Sequence, residues 1–179
     1  NLENLISEKT KVLYVESPSS LNYKVEDLLK MTKFARKNKI ITVIDNTWST
    51  FLGCNPLDYN FDIVIESATK YLSGHSDNFL GIITTKSSDL WKKIKKTTVL
   101  NGDFVSSESC FNAMKGLKTL EVRMSKHSEN AEKIFNFLSS KNSVDKIIYL
   151  PDSKNKNHIL WKKYYKINNG LITFSLKKK

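Results

Sequence analysis

With 179 residues, 40% apolar and 11% aromatic, the chain is long enough for one ordinary domain with a real core and too apolar to be disordered. The formal charge of +11 comes from 29 basic residues of which only Arg36 and Arg123 are arginines; a nucleic-acid reader would favour the planar guanidinium, so scattered lysines argue for compositional bias and against a nucleic-acid partner. No apolar run reaches the ~18 residues of a bilayer span, so no membrane partner is expected.

In chain order, Lys11–Glu16 is a short apolar run stopped by Ser17-Pro18-Ser19-Ser20, which predicts a buried strand entering a loop. Val25 to Asn38 has Val25, Leu28, Leu29, Thr32 and Ala35 at helical spacing. Ile40–Ile44 predicts a second strand, Phe61–Ile65 a third and Leu80–Thr84 a fourth. Continuous apolar strands alternating with helices predict an α/β fold whose parallel sheet is covered on both faces. A basic amphipathic helix is expected over Ser88–Lys96, then helices over Glu108–Lys115 and Leu120–Ser139. In the last of these, Val122, His127, Ala131, Ile134, Phe135 and Leu138 are expected on the buried side. Val144–Leu150 predicts a strand, Pro151–Asn157 a polar linker, His158–Tyr165 a short helix and Leu171–Leu176 a last strand. A second domain is therefore expected to begin near Val144, dividing the chain into 1–143 and 144–179.

Cys54 and Cys110 show neither a CxxC nor a Cys/His spacing, as expected of free cysteines in a reducing cytoplasm and not of a zinc site or disulfide framework. The first residues, Asn1-Leu2-Glu3-Asn4, resemble no signal peptide and lack an initiator Met, so the chain is expected to be a piece of something longer.

In open parallel sheets, chemistry gathers in loops at the carboxyl ends of strands. Two such loops carry unusual residues: Asp45-Asn46-Thr47-Trp48, and Ser67-Ala68-Thr69-Lys70-Tyr71. On spacing alone, Asp45 and Lys70 could simply form an ion pair.

The residues around Lys70 suggest more. The stretch Asp62-Ile63-Val64-Ile65-Glu66-Ser67-Ala68-Thr69-Lys70-Tyr71-Leu72-Ser73-Gly74-His75-Ser76 resembles the motif of the Cys/Met-metabolism pyridoxal-phosphate enzymes. That motif is an Asp, an apolar residue, three free positions, then small-small-Thr-Lys-aromatic-apolar-x-Gly-His-small. Val43–Trp48 is similar to the family's cofactor-aspartate strand, and Gly116–His127 to its long-helix segment. Glu16-Ser17-Pro18-Ser19-Ser20 lacks the Asn-Pro of the gamma-type members, and Trp48 stands where they more often have Phe, which favours the beta-lyase branch.

The resemblance implies the large domain of a fold-type I pyridoxal-phosphate-dependent transferase, similar to aspartate aminotransferase, with a mostly parallel sheet flanked by helices and the start of a C-terminal α+β domain. It implies pyridoxal 5'-phosphate as cofactor, bound covalently to the Lys70 amine, because an imine needs a primary amine. Asp45 would hold the proton on the pyridine nitrogen, and Ser67 and Thr69 would give hydroxyls to the phosphate. The implied reaction is carbon–sulfur beta-lysis of cystathionine, a small sulfur amino acid, to homocysteine, pyruvate and ammonia in methionine biosynthesis, by a cytoplasmic homotetramer. The gamma-synthase or gamma-lyase reaction and a non-catalytic remnant are the alternatives. The implied roles of His75 and Asp77 are loop ordering and loop capping, of Trp48 and Tyr71 packing, and of Arg123 a structural or subunit-interface ion pair. The family's glycine-rich phosphate loop and stacking tyrosine are expected before Asn1, its substrate-carboxylate arginine beyond Lys179, and the 179 residues alone are expected to be inactive.

Overall fold

The computed structural model describes residues 2–178. Four strands, β1 (Val12–Glu16), β2 (Ile41–Asp45), β3 (Ile63–Ser67) and β4 (Gly81–Thr84), form one sheet in chain order. β1–β2 and β2–β3 are parallel, with Glu16 opposite Asp45 and Asp45 opposite Ile65. β4 departs from the expected pattern: it runs antiparallel to β3, with Ser67 opposite Gly81. The connection from Ser67 to Gly81 has no crossover helix. It folds back on itself, and Thr69 and Leu80 bridge its two ends.

Side-chain alternation divides the sheet into two unlike faces. Val15, Ile44, Val64 and Glu66 point to a closed face, whose core includes Leu28, Trp48, Phe61, Leu150, Tyr164 and Tyr165. Leu28 and Ile44 are fully buried, and each such side chain contributes roughly 1.5–3 kcal/mol. Val12, Tyr14, Asp45, Ser67 and Ile83 share the other face, where Val12, Tyr14 and Ile83 remain about half exposed. The expectation of two covered faces is thus met on one side by the described residues. On the open side α3 (Ser88–Asn101) lines a shallow hollow with Gly81, Ile83 and Thr85.

Helix boundaries follow the caps. α1 (Leu28–Lys37) begins three residues later than predicted because Asp27 is its N-cap, accepting from the Lys30 amide at 3.2 Å. Val25 stays in the preceding extended segment and is buried there. α2 (Thr50–Gly53) and a 3-10 turn (Pro56–Tyr59), neither predicted, join β2 to β3. α3 runs past Lys96 to Asn101, through Thr97-Thr98-Val99. Gly102 ends it with φ of +71°, the left-handed cap conformation that glycine adopts freely.

α4 (Ser107–Leu117) and α5 (Leu120–Ser139) form an elbow. The buried side of α5 is Leu120, Met124 and Ala131, with Phe135 and Leu138 partly covered. Val122, His127 and Ile134 are exposed, contrary to expectation. The α5 stripe is set by Leu120 and Met124 packing against Ala68 and Leu72, and positions 122 and 134 lie away from it. β5 (Val144–Ile148) and β6 (Thr173–Leu176) pair antiparallel in a separate two-stranded sheet, with α6 (His158–Tyr164) between them in sequence. The residues around α6 nevertheless join the main core: the Tyr165 hydroxyl donates to Ser17 O at 2.7 Å, and Asn169 Nδ2 donates to Trp48 O at 2.6 Å.

Candidate active site around Lys70

Asp45 ends β2 and Ser67 ends β3, so parallel pairing brings both to one edge of the sheet, on its open face. Two hydrogen bonds connect them. The Thr47 amide donates to Asp45 Oδ1 at 2.9 Å, and the Ser67 amide donates to Thr47 Oγ1 at 2.8 Å. The Tyr14 hydroxyl, from β1, reaches Asp45 Oδ2 at 3.5 Å. Burial and the Asp45 carboxylate both push the Tyr14 phenol above its ordinary range, so it remains a donor at neutral pH. Thr47 and Tyr14 were missed by sequence reasoning. An Asp two residues before a Thr is an Asx-turn signal, which makes Thr47 recoverable, whereas Tyr14 needed the β1–β2 register.

After Ser67 the chain turns sharply. The Lys70 amide donates to Ser67 O at 3.2 Å, and the Gly74 amide donates back to Lys70 O at 2.7 Å. Lys70 is exposed, and among the described residues its ammonium has no ion-pair partner, nor does the half-buried Asp45. The plain ion-pair alternative is therefore not what the two residues form. Ser67 and Thr69 differ: the Thr69 hydroxyl is engaged with Leu80, accepting from its amide at 3.0 Å, while the Ser67 hydroxyl has no partner among the described residues. Thr69 thus ties the loop to Leu80 by accepting, which leaves its own O–H, like that of Ser67, to be donated. A free amine, a carboxylate without a cation and an unengaged hydroxyl on one edge suit an aldehyde cofactor with a basic ring nitrogen and a phosphate.

Several weighed residues have specific roles. His75 Nδ1 lies 2.7 Å from Ser73 O; a carbonyl only accepts, so Nδ1 carries the proton and ties the ring to its own loop. The cap expected at Asp77 is made by Asn78, whose amide donates to Ser73 Oγ at 3.0 Å and Ser109 O at 2.9 Å. Asp77 makes no such bond among the described residues. Trp48 packs between Tyr23 and Tyr165, and Tyr71 meets His127 edge-on. Arg123 makes no ion pair among the described residues; its guanidinium donates instead to the carbonyls of Tyr71 at 2.7 Å and Gly116 at 2.8 Å, because those are the acceptors turned toward it. Burial lowers the Arg123 guanidinium without uncharging it at any physiological pH.

Behind the site, on the closed face, stands a carboxyl that sequence reasoning did not single out. Glu66 is only 6% exposed and accepts from Asn46 Nδ2 at 3.0 Å. Burial pushes its carboxyl up to about 7, against the opposing pull of the Asn46 amide and the Phe51 N–H. The folded protein thus keeps a proton that the unfolded chain releases at the ordinary glutamate value, so stability falls as pH rises between the two. The loss across that window is about 3 kcal/mol. The stability difference between Glu66→Gln and the parent, measured by denaturant titration from pH 4 to pH 8, is expected to move by that amount in favour of the variant; a flat difference contradicts the assignment.

Among the described residues no helix is long and apolar enough to cross a membrane, and no group of three or more His, Cys, Asp or Glu stands together as a metal site would require.

A mostly parallel sheet flanked by helices, matched by a solved relative at a TM-score of 0.95, gives the chain the α/β fold of the fold-type I pyridoxal-phosphate-dependent enzymes. The profile of the Cys/Met metabolism PLP-dependent enzymes matches residues 1–179, and the chain belongs to that family, whose cofactor is pyridoxal phosphate. An L-alanine/L-glutamate racemase of Wolbachia pipientis wMel is 32% identical over 176 residues, covering 98% of this chain and 43% of the racemase. A cystathionine beta-lyase of Lactococcus lactis subsp. cremoris strain MG1363 is 36% identical over 179 residues, covering 98% of this chain and 47% of the lyase. The crystal structure of cystathionine gamma-lyase from Lactobacillus plantarum complexed with L-serine superposes with a TM-score of 0.95 at 34% identity, covering 98% of this chain and 46% of that one. The chain spans a little under half the length of these relatives.

Proposed function

We propose that this chain carries the lysine side of the active site of a carbon–sulfur beta-lyase that cleaves cystathionine to homocysteine, pyruvate and ammonia, as a cytoplasmic homotetramer serving methionine biosynthesis. Residues 1–143 are read as part of the cofactor-binding large domain and 144–179 as the start of the small one. The observation that supports the proposal is that Asp45 ends β2 while Lys70 stands in the loop after the neighbouring β3, and that among the described residues neither has an ion-pair partner. Pyridoxal phosphate, when bound, supplies an aldehyde for a lysine amine and an electron-accepting ring for the substrate carbanion.

The residues divide the remaining work. Lys70 Nζ would be the amine that holds the cofactor, and the same nitrogen would serve as the base for the substrate Cα proton. Asp45 would offer its carboxylate to a protonated ring nitrogen, and the Thr47 amide and the Tyr14 hydroxyl already orient it. Ser67 and Thr69 would give hydroxyls to the phosphate, and Thr69, which also accepts from the Leu80 amide, ties the loop down.

The beta-lyase assignment rests on the Ser19-Ser20 and Trp48 departures together with the likeness to the Lactococcus enzyme. The likeness to the Lactobacillus structure favours gamma-lysis as the second reading. Product analysis with cystathionine, on the protein at the length its gene encodes, separates them. Pyruvate and homocysteine are expected; 2-oxobutyrate and cysteine would overturn the first reading in favour of the second. Racemised alanine without lysis would overturn both.

A further inference from the structure

The loop that presents Lys70 is clamped from one side. Arg123, on α5, donates through Nη1 to Tyr71 O at 2.7 Å, and through Nη2 to Gly116 O at 2.8 Å and Leu72 O at 3.4 Å. Its Nε donates to Thr119 Oγ1 at 3.0 Å, which fixes the plane of the guanidinium at the α4–α5 elbow. One side chain therefore joins the two residues after Lys70 to the end of α4.

Two glycines make room for this clamp. Gly74 has φ of +74°, and a Cβ there would stand 2.2 Å from Arg123 Nη1. Gly116 lies so close to the loop that a Cβ would stand 2.3 Å from both Leu72 O and Ser73 O. Gly74 is also the residue whose amide bonds to Lys70 O. The carbonyls that follow the Lys70 Cα are thus held, Lys70 O by the Gly74 amide and Tyr71 O and Leu72 O by Arg123 from α5. In a chain with only two arginines among 29 basic residues, this position holds one of them. A lysine ammonium is a point charge on a flexible stem and cannot span three carbonyls and a hydroxyl in one plane.

We infer that Arg123 is the positioning residue that sets where the Lys70 amine stands against the cofactor and substrate. The inference rests on the proposed role of Lys70. Arg123 touches no reacting atom; it acts through the backbone from Tyr71 to Gly74. A displacement of the amine by about 1 Å is enough to cost roughly 10²-fold in rate.

The test uses the protein at the length its gene encodes, loaded with pyridoxal phosphate, as Lys70→Ala, Arg123→Lys and Arg123→Ala. Two readouts are taken: the pH midpoint of the visible band of the lysine-bound cofactor, and kcat separately from KM. Arg123→Lys is expected to retain the cofactor and the band, to shift the midpoint, and to lower kcat by roughly 10²-fold with KM little changed. Added guanidinium, at concentrations that leave the parent enzyme unaffected, is expected to restore part of the kcat of Arg123→Ala. If Arg123→Ala does not fold, Arg123→Lys, which keeps the charge, decides alone. Arg123→Lys with parental midpoint and kcat, while Lys70→Ala loses the band, overturns the inference and spares the role of Lys70. Lys70→Ala that keeps the band overturns that role and the inference with it.

Discussion

Replacing Lys70 with Ala is expected to abolish the visible absorbance of bound pyridoxal phosphate and to lower turnover by at least about 10³-fold, within the range set by losing a general base alone. The effect should exceed that of any other single change because one nitrogen performs two tasks. It anchors the cofactor, and it moves the Cα proton. Lys86 cannot substitute, because it lies past the end of β4 remote from Ser67 and pairs with Asp58 at 3.2 Å. Absorbance spectra and turnover of the variant, each set against the parent, provide the check. A variant that retained the band would show that another amine holds the cofactor.

The second large effect is structural. Gly116→Ala is expected to destabilise the fold by about 3 kcal/mol, the upper range for overpacking a closed site. Inside a helix this exchange ordinarily stabilises by roughly 1 kcal/mol, because alanine is the better helix former. Here the added methyl meets backbone: Leu72 O and Ser73 O at 2.3 Å and Ser73 Cα at 2.6 Å. Backbone atoms of a clamped loop do not rotate aside as a side chain would, so the loop or α4 has to move. Gly81 is the control. A Cβ there meets nothing within 4 Å, so Gly81→Ala should leave stability nearly unchanged. Denaturant midpoints of the two variants settle the comparison, and equal midpoints would contradict the close approach of α4 to the Lys70 loop.

Local signals in the sequence carried most of the fold. The strand runs around Val15, Ile44 and Val64 were legible because buried strands are continuous and apolar. The errors arose where a distant partner decided. α1 starts at Leu28 because Asp27 caps it, although Val25 matches the helical period. The inward stripe of α5 was misplaced because Val122 and Ile134 are apolar and still face outward, while the register is set by Leu120 and Met124 meeting Ala68 and Leu72. The antiparallel turn of β4 followed from a folded-back loop that apolar patterning does not reveal.

The site divided in the same way. Lys70, Asp45, Ser67 and Thr69 stood out through motif resemblance and through their place at strand ends. The different states of the two hydroxyls did not, because Leu80, eleven residues from Thr69, engages one and leaves the other free. Glu66 reads in sequence as one polar residue in a strand, and only its burial beside Asn46 raises its carboxyl. Arg123 looked like an ion-pairing residue on a helix. Its main acceptor, Tyr71 O, lies 52 residues away, and a carbonyl carries no mark in the sequence.

Borohydride reduction of the cofactor-loaded protein, followed by peptide mapping, reads the central claim most directly. The pyridoxyl group is expected on Lys70, in the peptide containing Ser67-Ala68-Thr69-Lys70-Tyr71. Label on any other lysine, or none after saturation with cofactor, would contradict it.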